Sequence, residues 1–301
     1  MLIDAKGIVK AYSGHVALDG LNIEVPEGAV HGLLGPNGAG KTTFIRILNQ
    51  MTKQDAGELL FDGHTMTMAD VAQVGYLPEE RGLYKKMKVG EEAIYLARLR
   101  GLSKYDAKVR LKYWFDKFEI GEWWNKKVEQ LSKGMQQKVQ FIVTVLHEPR
   151  LLIFDEPFSG FDPVNANLLK QEILNLRDKG ATVLFSTHNM GSVEAVCDSI
   201  SLINKSHVVL DGKVKDIKKQ YKEGKYELSF QGSESDLQQV SGLNILSSKT
   251  IDGTTSAIVK STNITSPNEL LRELINAVEV SEFKEILPTM EEIFIQQVEK
   301  K

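Results

Sequence analysis

The eight residues Gly35–Thr42 read GPNGAGKT and fit the pattern G-x-x-x-x-G-K-[ST]. The glycines let successive backbone N–H groups converge on the β-phosphate of a nucleotide. Lys41 would reach the β- and γ-phosphates, and the hydroxyl group of Thr42 would bind Mg²⁺, which prefers oxygen ligands. This segment, here called the phosphate loop, follows the apolar stretch VHGLL and opens a helix. The sequence therefore predicts a site for a nucleoside triphosphate.

Two adjacent carboxylates, Asp155 and Glu156, follow a second apolar stretch, LLIF. Ligand-binding groups of α/β sheets gather at the carboxyl ends of strands, and adjacent strand residues point to opposite faces. We therefore expect the two side chains to have different tasks. Asp155 would hold Mg²⁺, directly or through water, and Glu156 would orient and deprotonate the attacking water. The alternative, a solvated strand end, fits less well beside a phosphate loop.

A third apolar strand, within ATVLFSTH, ends at His188. An imidazole ring at that position could donate a hydrogen bond to the γ-phosphate and respond to the loss of that group. A lone histidine is more often structural. Its place at a strand end in the same core as the phosphate loop favours the functional interpretation.

A second candidate anion site begins at Ser132, in the stretch LSKGMQQK. Serine is a good helix N-cap, and Gly134 leaves the first turn of the helix open to close approach. Exposed N–H groups at a helix N-terminus attract anions. The alternative is a plain helix cap, and the sequence alone does not say which anion this helix start would bind.

The elements that must position these groups alternate between strands and helices. The segments MLIDAKGIVKAY and LNIEVPEG indicate an antiparallel entry sheet, and residues 88–147 are mainly helical in pattern. A helix in NANLLKQEILNLRDKG separates the strands in LLIFDEP and ATVLFSTH, which makes a βαβ unit with parallel strands. The pattern predicts an α/β core.

A change of composition after SLINKSHVVLDGKV indicates two domains, residues 1–215 and residues 216–301. The charged stretch KDIKKQYKEGK is interpreted as a bridge between them. The second domain has the pattern strand, helix, strand, strand, helix, strand, followed by a tail helix. This order predicts a small α+β domain with a ferredoxin-like fold. A regulatory or dimerising role for it is a hypothesis.

The composition excludes several classes of protein. The chain has 301 residues and a net charge of −3, which argues against an electrostatic footprint for nucleic acid. Cys197 is the single cysteine, so no disulfide within the chain is possible and a reducing, cytosolic compartment fits best. No uninterrupted apolar run reaches the roughly 18 residues of a spanning helix. We therefore expect the chain alone not to cross a membrane.

The motifs GPNGAGKTT, LSKGMQQ, LLIFDEP, SGFD and STH occur in this order, and together they resemble those of ATP-binding-cassette (ABC) subunits. In that family two such domains power a membrane transporter. The resemblance covers Met1 to Val214. It implies a P-loop NTPase fold with a RecA-like core, an antiparallel β subdomain and a helical subdomain at about residues 88–147. The stretch LPEERGLY and the end LPTMEEIFIQQV are similar to bacterial sodium-extrusion and drug-export subunits.

The resemblance also implies roles for individual residues. Glu156, His188 and Lys41 would be catalytic, and Tyr12 would stack on adenine. Ser132 and the N–H group of Gly134 would bind the ATP held by a second copy, which would answer which anion that helix start binds. The nucleotide-binding set is then Tyr12, Gly35, Pro36, Asn37, Gly38, Ala39, Gly40, Lys41, Thr42, Thr43, Ser132 and Gly134, and the metal-binding set is Thr42, Asp155 and Glu79.

The sequence departs from the family pattern at two places. Glu79 follows YLP where the family usually has glutamine, and Lys133 and Met135 stand where the signature usually has glycine and glutamine. A carboxylate at position 79 could ligate Mg²⁺. Alternatively, Glu79 faces solvent and Arg81. The two interpretations are left open here, and Gly134 is expected to preserve the signature contact.

The function that follows from the resemblance is ATP hydrolysis coupled to export. MgATP would close a head-to-tail dimer that drives separate integral membrane permease subunits, and the chain would lie peripherally on the cytoplasmic face of the membrane. Competing classes are a cassette ATPase acting on nucleic acid or ribosomes and an assembly ATPase for iron–sulfur clusters. This chain has one cassette, no long heptad insert and no basic excess, which disfavours the first competitor. The extra C-terminal domain disfavours the second.

An aromatic cluster in the helical region has two possible roles. Its members are Trp114, Phe115, Trp123 and Trp124. Exposed aromatic residues would anchor a partner helix, whereas core packing is the commoner fate of tryptophan.

Overall fold

A computed structural model describes residues 1–80, 82–262 and 266–299 of the chain. The chain divides into two compact units, Met1–Val214 and Lys215–Lys301. Each unit is described by itself below. Within the described ranges, no helix is both long and apolar enough to cross a membrane.

The first unit alternates between strands and helices and has the predicted α/β fold. Its elements are β1 (Ile3–Tyr12), β2 (His15–Val25), β3 (Val30–Leu34), α1 (Lys41–Leu48), β4 (Ala56–Phe61), β5 (His64–Thr65), β6 (Val74–Leu77), α2 (Val89–Leu99), α3 (Lys104–Lys117), α4 (Lys133–Val145), β7 (Leu151–Asp155), α5 (Pro163–Asp178), β8 (Thr182–Ser186), α6 (Met190–Val196), β9 (Ser199–Asn204) and β10 (His207–Lys213). Short 3₁₀ helices lie at Asp70–Gln73, Gly121–Trp123 and Val128–Gln130.

A six-stranded sheet forms the centre of this unit, in the order β10-β9-β3-β8-β7-β6. All neighbours are parallel except β10, which runs antiparallel to β9 at one edge. Every residue of β3, β7 and β8 is buried, which is expected for strands covered on both faces. Because these three strands are parallel neighbours, their carboxyl ends open on the same edge of the sheet. Asp155 stands at such an end, and the phosphate loop and His188 follow two others.

A four-stranded antiparallel sheet, ordered β2-β1-β4-β5, packs against this centre. Its buried face shares one apolar core with α1, in which Ile3, Leu21 and Phe61 lie together with Phe44 and Leu48. The sheet thereby holds the end of β1 beside the start of α1.

The helical subdomain consists of α2, α3 and α4 with two of the short 3₁₀ helices. The partner-anchor interpretation of its aromatic cluster is wrong, because Trp114, Phe115 and Trp123 are only 8%, 2% and 8% exposed. Trp124 is half-buried, and its ring lies 5.4 Å from that of Phe115. Together these rings form the core of the subdomain. A partner helix would have to use other side chains.

The second unit contains α7 (Val214–Gln220, whose first residue closes the first unit), β11 (Lys225–Gln231), β12 (Leu243–Ile251), β13 (Thr254–Ser261), α8 (Pro267–Ala277), β14 (Glu279–Ile286) and α9 (Met290–Glu299). Its sheet is ordered β12-β13-β11-β14 with every neighbour antiparallel. This arrangement is that of a ferredoxin-like fold, in which the first helix is reduced to the 3₁₀ turn Glu234–Gln239.

The charged stretch at the start of this unit is partly helical, and its interpretation as a bridge between domains stays a prediction. The charged stretch interpreted as a bridge between domains begins within α7, and Ile217 on that helix is buried, as is Val214 three residues before it. A spacing of three puts the two apolar residues on one helix face, which Lys218 borders, while Lys215 and Lys219 are exposed.

Candidate functional site

One cleft of about 340 Å³ lies at the carboxyl ends of the central strands and brings most of the predicted site residues together. Its lining consists of Tyr12, His15, Ala17, Asn37, Gly38, Gly40, Lys41, Thr42, Thr43, Glu79, Asp155, Glu156 and His188. Sequence reasoning missed His15 and Ala17. Gly35, Pro36 and Ala39 belong to the same loop but do not line the cleft.

The phosphate loop has a backbone conformation that its glycines make possible. Gly40 has a φ of +118°, and a Cβ atom built on it would lie 2.5 Å from the carbonyl oxygen of Ala17 and 2.7 Å from Cδ2 of Leu18. Gly40 caps α1, and its carbonyl oxygen accepts the N–H of Phe44 at 3.0 Å. Only glycine has both the conformational range and the size for this position. The loop therefore turns tightly into the helix that presents Lys41.

Lys41 lies folded back over the loop that precedes it. Its Nζ donates to the carbonyl oxygens of Gly35 at 2.6 Å and Pro36 at 3.1 Å. Burial lowers the pKa of Lys41, and the neighbouring charges of Glu156 and Asp155 oppose that shift. Among the described residues, the hydrogen-bond acceptors of this ammonium group are thus neutral carbonyl oxygens. A polyanion would offer it a stronger partner.

Asp155 ends β7 as a buried carboxylate at the floor of the cleft. Burial raises its pKa, and the charges of Glu79 and Glu156 raise it further. A hard divalent cation would offset this concentration of negative charge. The donors present, namely the Thr42 hydroxyl group and the carboxylates of Asp155 and Glu79, therefore fit Mg²⁺. Magnesium commonly uses one or two protein oxygens together with substrate phosphates.

Both carboxylate oxygens of Glu156 are held by the end of β8. Oε1 accepts the backbone N–H of His188 at 2.8 Å and lies 2.6 Å from Nδ1 of the same residue, and Oε2 accepts the hydroxyl group of Thr187 at 3.0 Å. A carboxylate only accepts hydrogen bonds, so Nδ1 carries the proton and Nε2 is left for another partner. Glu156 also has a φ of +48°, which is uncommon for a residue other than glycine. Such local strain is typical of functional positions.

Glu79 is exposed and lines the cleft close enough to affect the pKa of Asp155. One of the two sequence interpretations paired it with Arg81, which lies outside the described residues. Glu79 thus lines the cleft and also faces solvent, so its role as a metal ligand stays a prediction.

Ser132 and Gly134 do not line this cleft. The helix α4 begins as predicted, with Ser132 as its N-cap accepting the backbone N–H of Met135 at 3.3 Å. A Cβ atom built on Gly134 would lie 3.5 Å from the carbonyl oxygen of Gly160. The start of α4 therefore adjoins the loop that ends at Asp162, whose carboxylate caps α5 through two backbone N–H groups at 3.0 Å. This helix start and the cleft are separate features of one chain.

Comparisons with known proteins agree with this geometry. Residues 18–159 match the family model described as "ABC transporter", and residues 212–298 match "ATP-binding protein DrrA1-3-like, C-terminal domain". The chain is 41% identical to "Uncharacterized ABC transporter ATP-binding protein YhaQ" of Bacillus subtilis (strain 168) over 293 residues, which is 97% of this chain and 96% of that protein.

Two further matches are a relative named for drug resistance and a solved structure. "Daunorubicin resistance ATP-binding protein DrrA3" of Streptomyces coeruleorubidus is 28% identical over 97% of this chain and 94% of its own length. The solved "Structure of ATP binding subunit of ABC transporter" superposes with a TM-score of 0.68, at 31% identity, over 73% of this chain and 93% of that chain.

The central sheet, the phosphate loop and the paired carboxylates define an ATP-binding cassette. The chain belongs to the family of ABC transporter ATP-binding subunits, and it carries a C-terminal domain of the DrrA1-3-like type.

Proposed function

We propose that this protein hydrolyses ATP as the energy-supplying subunit of an exporter. Two copies would pair head to tail around MgATP and act on a separate membrane permease from the cytoplasmic side. The observation that carries the proposal is the position of Ser132 and Gly134 at the start of α4, outside their own chain's cleft. The N–H groups of a helix start would attract an anion. A nucleotide delivered by a second copy would occupy this position.

Within the cleft, each group has a task that its surroundings support. The N–H groups of the phosphate loop and the ammonium group of Lys41 bind the phosphates. Mg²⁺, held by Thr42 and Asp155 with Glu79 as a further oxygen donor, would supply positive charge against the phosphate oxygens. Glu156 orients the attacking water and accepts its proton.

The contacts of Glu156 explain how it keeps its orientation. Thr187 and the backbone of His188 hold the two oxygens, so the carboxylate does not rotate freely. The proton on Nδ1 of His188 leaves Nε2 as the atom that faces a new partner. A protonated ring would donate to the γ-phosphate and lose that contact when the phosphate leaves. Hydrolysis would thereby weaken the pairing.

The direction of transport is proposed from relatives. The DrrA3 relative is named as a resistance protein for daunorubicin, and its match extends over the C-terminal domain. Removal of a toxic compound from the cell is consistent with export. The permease, which forms the path through the membrane, would select the cargo.

The head-to-tail proposal predicts that Gly134→Ala weakens ATP-driven pairing. In this chain the added Cβ makes only ordinary contacts, 3.5 Å from the Gly160 carbonyl oxygen, so the fold should be unchanged. A partner's γ-phosphate approaching the N–H groups would meet the new methyl group. In a Glu156→Gln background, sedimentation with MgATP should show dimers for the parent and at least about 10-fold weaker association for the Gly134 variant.

The matched control is Gly121→Ala, in the same subdomain, where a Cβ has no neighbour within 4 Å. This variant should pair like the parent. Equal pairing of the Gly134 and Gly121 variants would contradict the proposed contact.

A second prediction concerns magnesium. In the natural chain, Glu79 adds a negative charge beside Asp155, so ATP without metal should be repelled more strongly than in Glu79→Gln. The ATPase activity of the natural chain should therefore depend more steeply on Mg²⁺ concentration than that of the variant. Parallel Mg²⁺ titrations of the ATPase rate measure this difference.

The control for this experiment is Glu80→Gln. It also removes one negative charge, but from the next residue, whose side chain does not line the cleft. Its Mg²⁺ curve should match that of the natural chain. Superimposed curves for the natural chain and Glu79→Gln would refute the metal-ligand role.

A further inference from the structure

The end of β1 that carries Tyr12 extends past one of its neighbours. β1 lies between β2 and β4, and β4 starts at Ala56, opposite Val9. Beyond Val9, the strand keeps β2 as a partner, with Tyr12 opposite His15. On the other edge no strand continues, and an unpaired strand end is usually mobile.

Asp55, the residue before β4, occupies this open edge. Its backbone N–H donates to the carbonyl oxygen of Val9 at 2.8 Å. Its Oδ2 then accepts the backbone N–H of Ala11 at 2.7 Å. The carboxylate thus takes the place of the backbone carbonyl that a longer β4 would supply. The strand end that carries Tyr12 is held on both sides.

The same carboxylate also positions a cation. Oδ1 of Asp55 lies 2.7 Å from Nζ of Lys10, whose side chain is only 13% exposed. That ammonium group lies over the ring of Tyr12, 5.5 Å from its centroid. The N–H of Ala11 and the Lys10 ammonium group hold the pKa of Asp55 below its usual range, so the carboxylate stays charged. Within about 6 Å, a cation over an aromatic face is attracted by the ring.

Tyr12 itself is 42% exposed and lines the nucleotide cleft. With an ammonium group over one face of the ring, a planar ligand can stack only on the other face. The cation also withdraws electron density from the ring, which favours stacking with an electron-rich partner. Purine bases are planar and electron-rich.

We infer that Lys10 and Asp55 are positioning residues for the nucleobase, and that together they make Tyr12 a one-sided platform for a purine. The inference deepens the proposed function, because it rests on Tyr12 contacting the base of a bound nucleoside triphosphate. Lys10 and Asp55 would contribute to the affinity for the base of the nucleotide and not to the affinity for its phosphates. Sequence alone gives no sign of the pair, since its members are 45 residues apart.

The test compares the binding of ATP with that of inorganic tripolyphosphate, which has no base, by calorimetry on the full chain. Tyr12→Ala should weaken the binding of ATP about 10-fold and leave the binding of tripolyphosphate unchanged. Lys10→Met keeps the apolar stem and removes the charge. It should weaken the binding of ATP about 3-fold and again leave the binding of tripolyphosphate unchanged. Asp55→Ala should weaken ATP at least as much, because it releases both the cation and the strand edge.

Two further variants separate positioning from a general effect on folding. Lys10→Arg keeps a cation and an ion-pair partner, so it should restore the affinity for ATP. Lys6→Met removes an exposed lysine from the same strand, which pairs with Asp4 far from the ring, and should bind ATP like the natural chain.

The possible failures are distinguishable. If Tyr12→Ala weakens ATP alone while Lys10→Met and Asp55→Ala bind it normally, the inference is overturned and the proposed function stands. If the Lys10 and Asp55 variants weaken ATP and tripolyphosphate equally, the pair acts on the phosphates and the inference is also overturned. If Tyr12→Ala changes the affinity for neither ligand, Tyr12 does not contact the base, and the inference is overturned while the phosphate chemistry of the proposed function stands.

Discussion

Replacing Glu156 by glutamine should lower the ATPase rate at least about 100-fold while MgATP still binds. The glutamine amide oxygen can still accept one of the hydrogen bonds that Thr187 and His188 donate, so the side chain remains near its place. It has no basic oxygen to take the proton from water. The variant should accumulate as an ATP-bound dimer, because the step that opens the pair is blocked.

Phosphate release and sedimentation in MgATP measure the two effects. The matched control is Glu119→Gln, since Glu119 is also a glutamate with a left-handed backbone, at a φ of +56°, but does not line the cleft. That variant should hydrolyse ATP at the natural rate. A Glu156→Gln protein that turns over ATP normally, or that stays monomeric with ATP beside its membrane partner, would contradict the proposed mechanism.

Replacing Gly40 by alanine should lower the free energy of unfolding by about 3 kcal/mol and abolish measurable ATP binding. The new Cβ would sit 2.5 Å from the carbonyl oxygen of Ala17 and 2.7 Å from Leu18, on a backbone that alanine avoids. Relief would require the loop to move, and that movement would displace Lys41 at the start of α1. Denaturant unfolding without nucleotide measures the first effect, and calorimetry measures the second.

Gly38→Ala separates backbone strain from collision. Gly38 also has a left-handed backbone, with a φ of +79°, but a Cβ there meets nothing within 4 Å. Gly38→Ala should lower the free energy of unfolding by the backbone strain alone, about 1 kcal/mol. Equal losses of unfolding free energy in the two variants would show that the contact with the Ala17 carbonyl has no energetic consequence.

The parts of the site that could be predicted from sequence are those encoded within a few consecutive residues. The phosphate loop is such a segment, because its glycines, its lysine and its flanking strand and helix are all local. The start of α4 was predictable for the same reason, since Ser132 is a cap that acts on its own first turn. Asp155 and Glu156 could be placed because the strand before them is uniformly apolar.

The parts that could not be predicted depend on pairing between distant segments. Lys10 and Asp55 meet because β1 pairs with β4. His15 was within reach, because the two-residue turn Ser13-Gly14 puts it opposite Tyr12, but no motif singles it out. The burial of Trp114 was undecidable from spacing alone. It is settled by the ring of Phe141 on another helix, 6.1 Å away.

That aromatic core gives the helical subdomain an intrinsic fluorescence signal. All three tryptophans of the chain lie within it, at positions 114, 123 and 124. Intrinsic tryptophan emission therefore comes from this subdomain alone, with no background from the antiparallel sheet or the second unit. Phe141 packs between Trp114 and Phe154, with centroid distances of 6.1 and 5.5 Å, and Phe154 immediately precedes Asp155. A spectral shift on adding nucleotide would register a rearrangement of the helices without any attached dye.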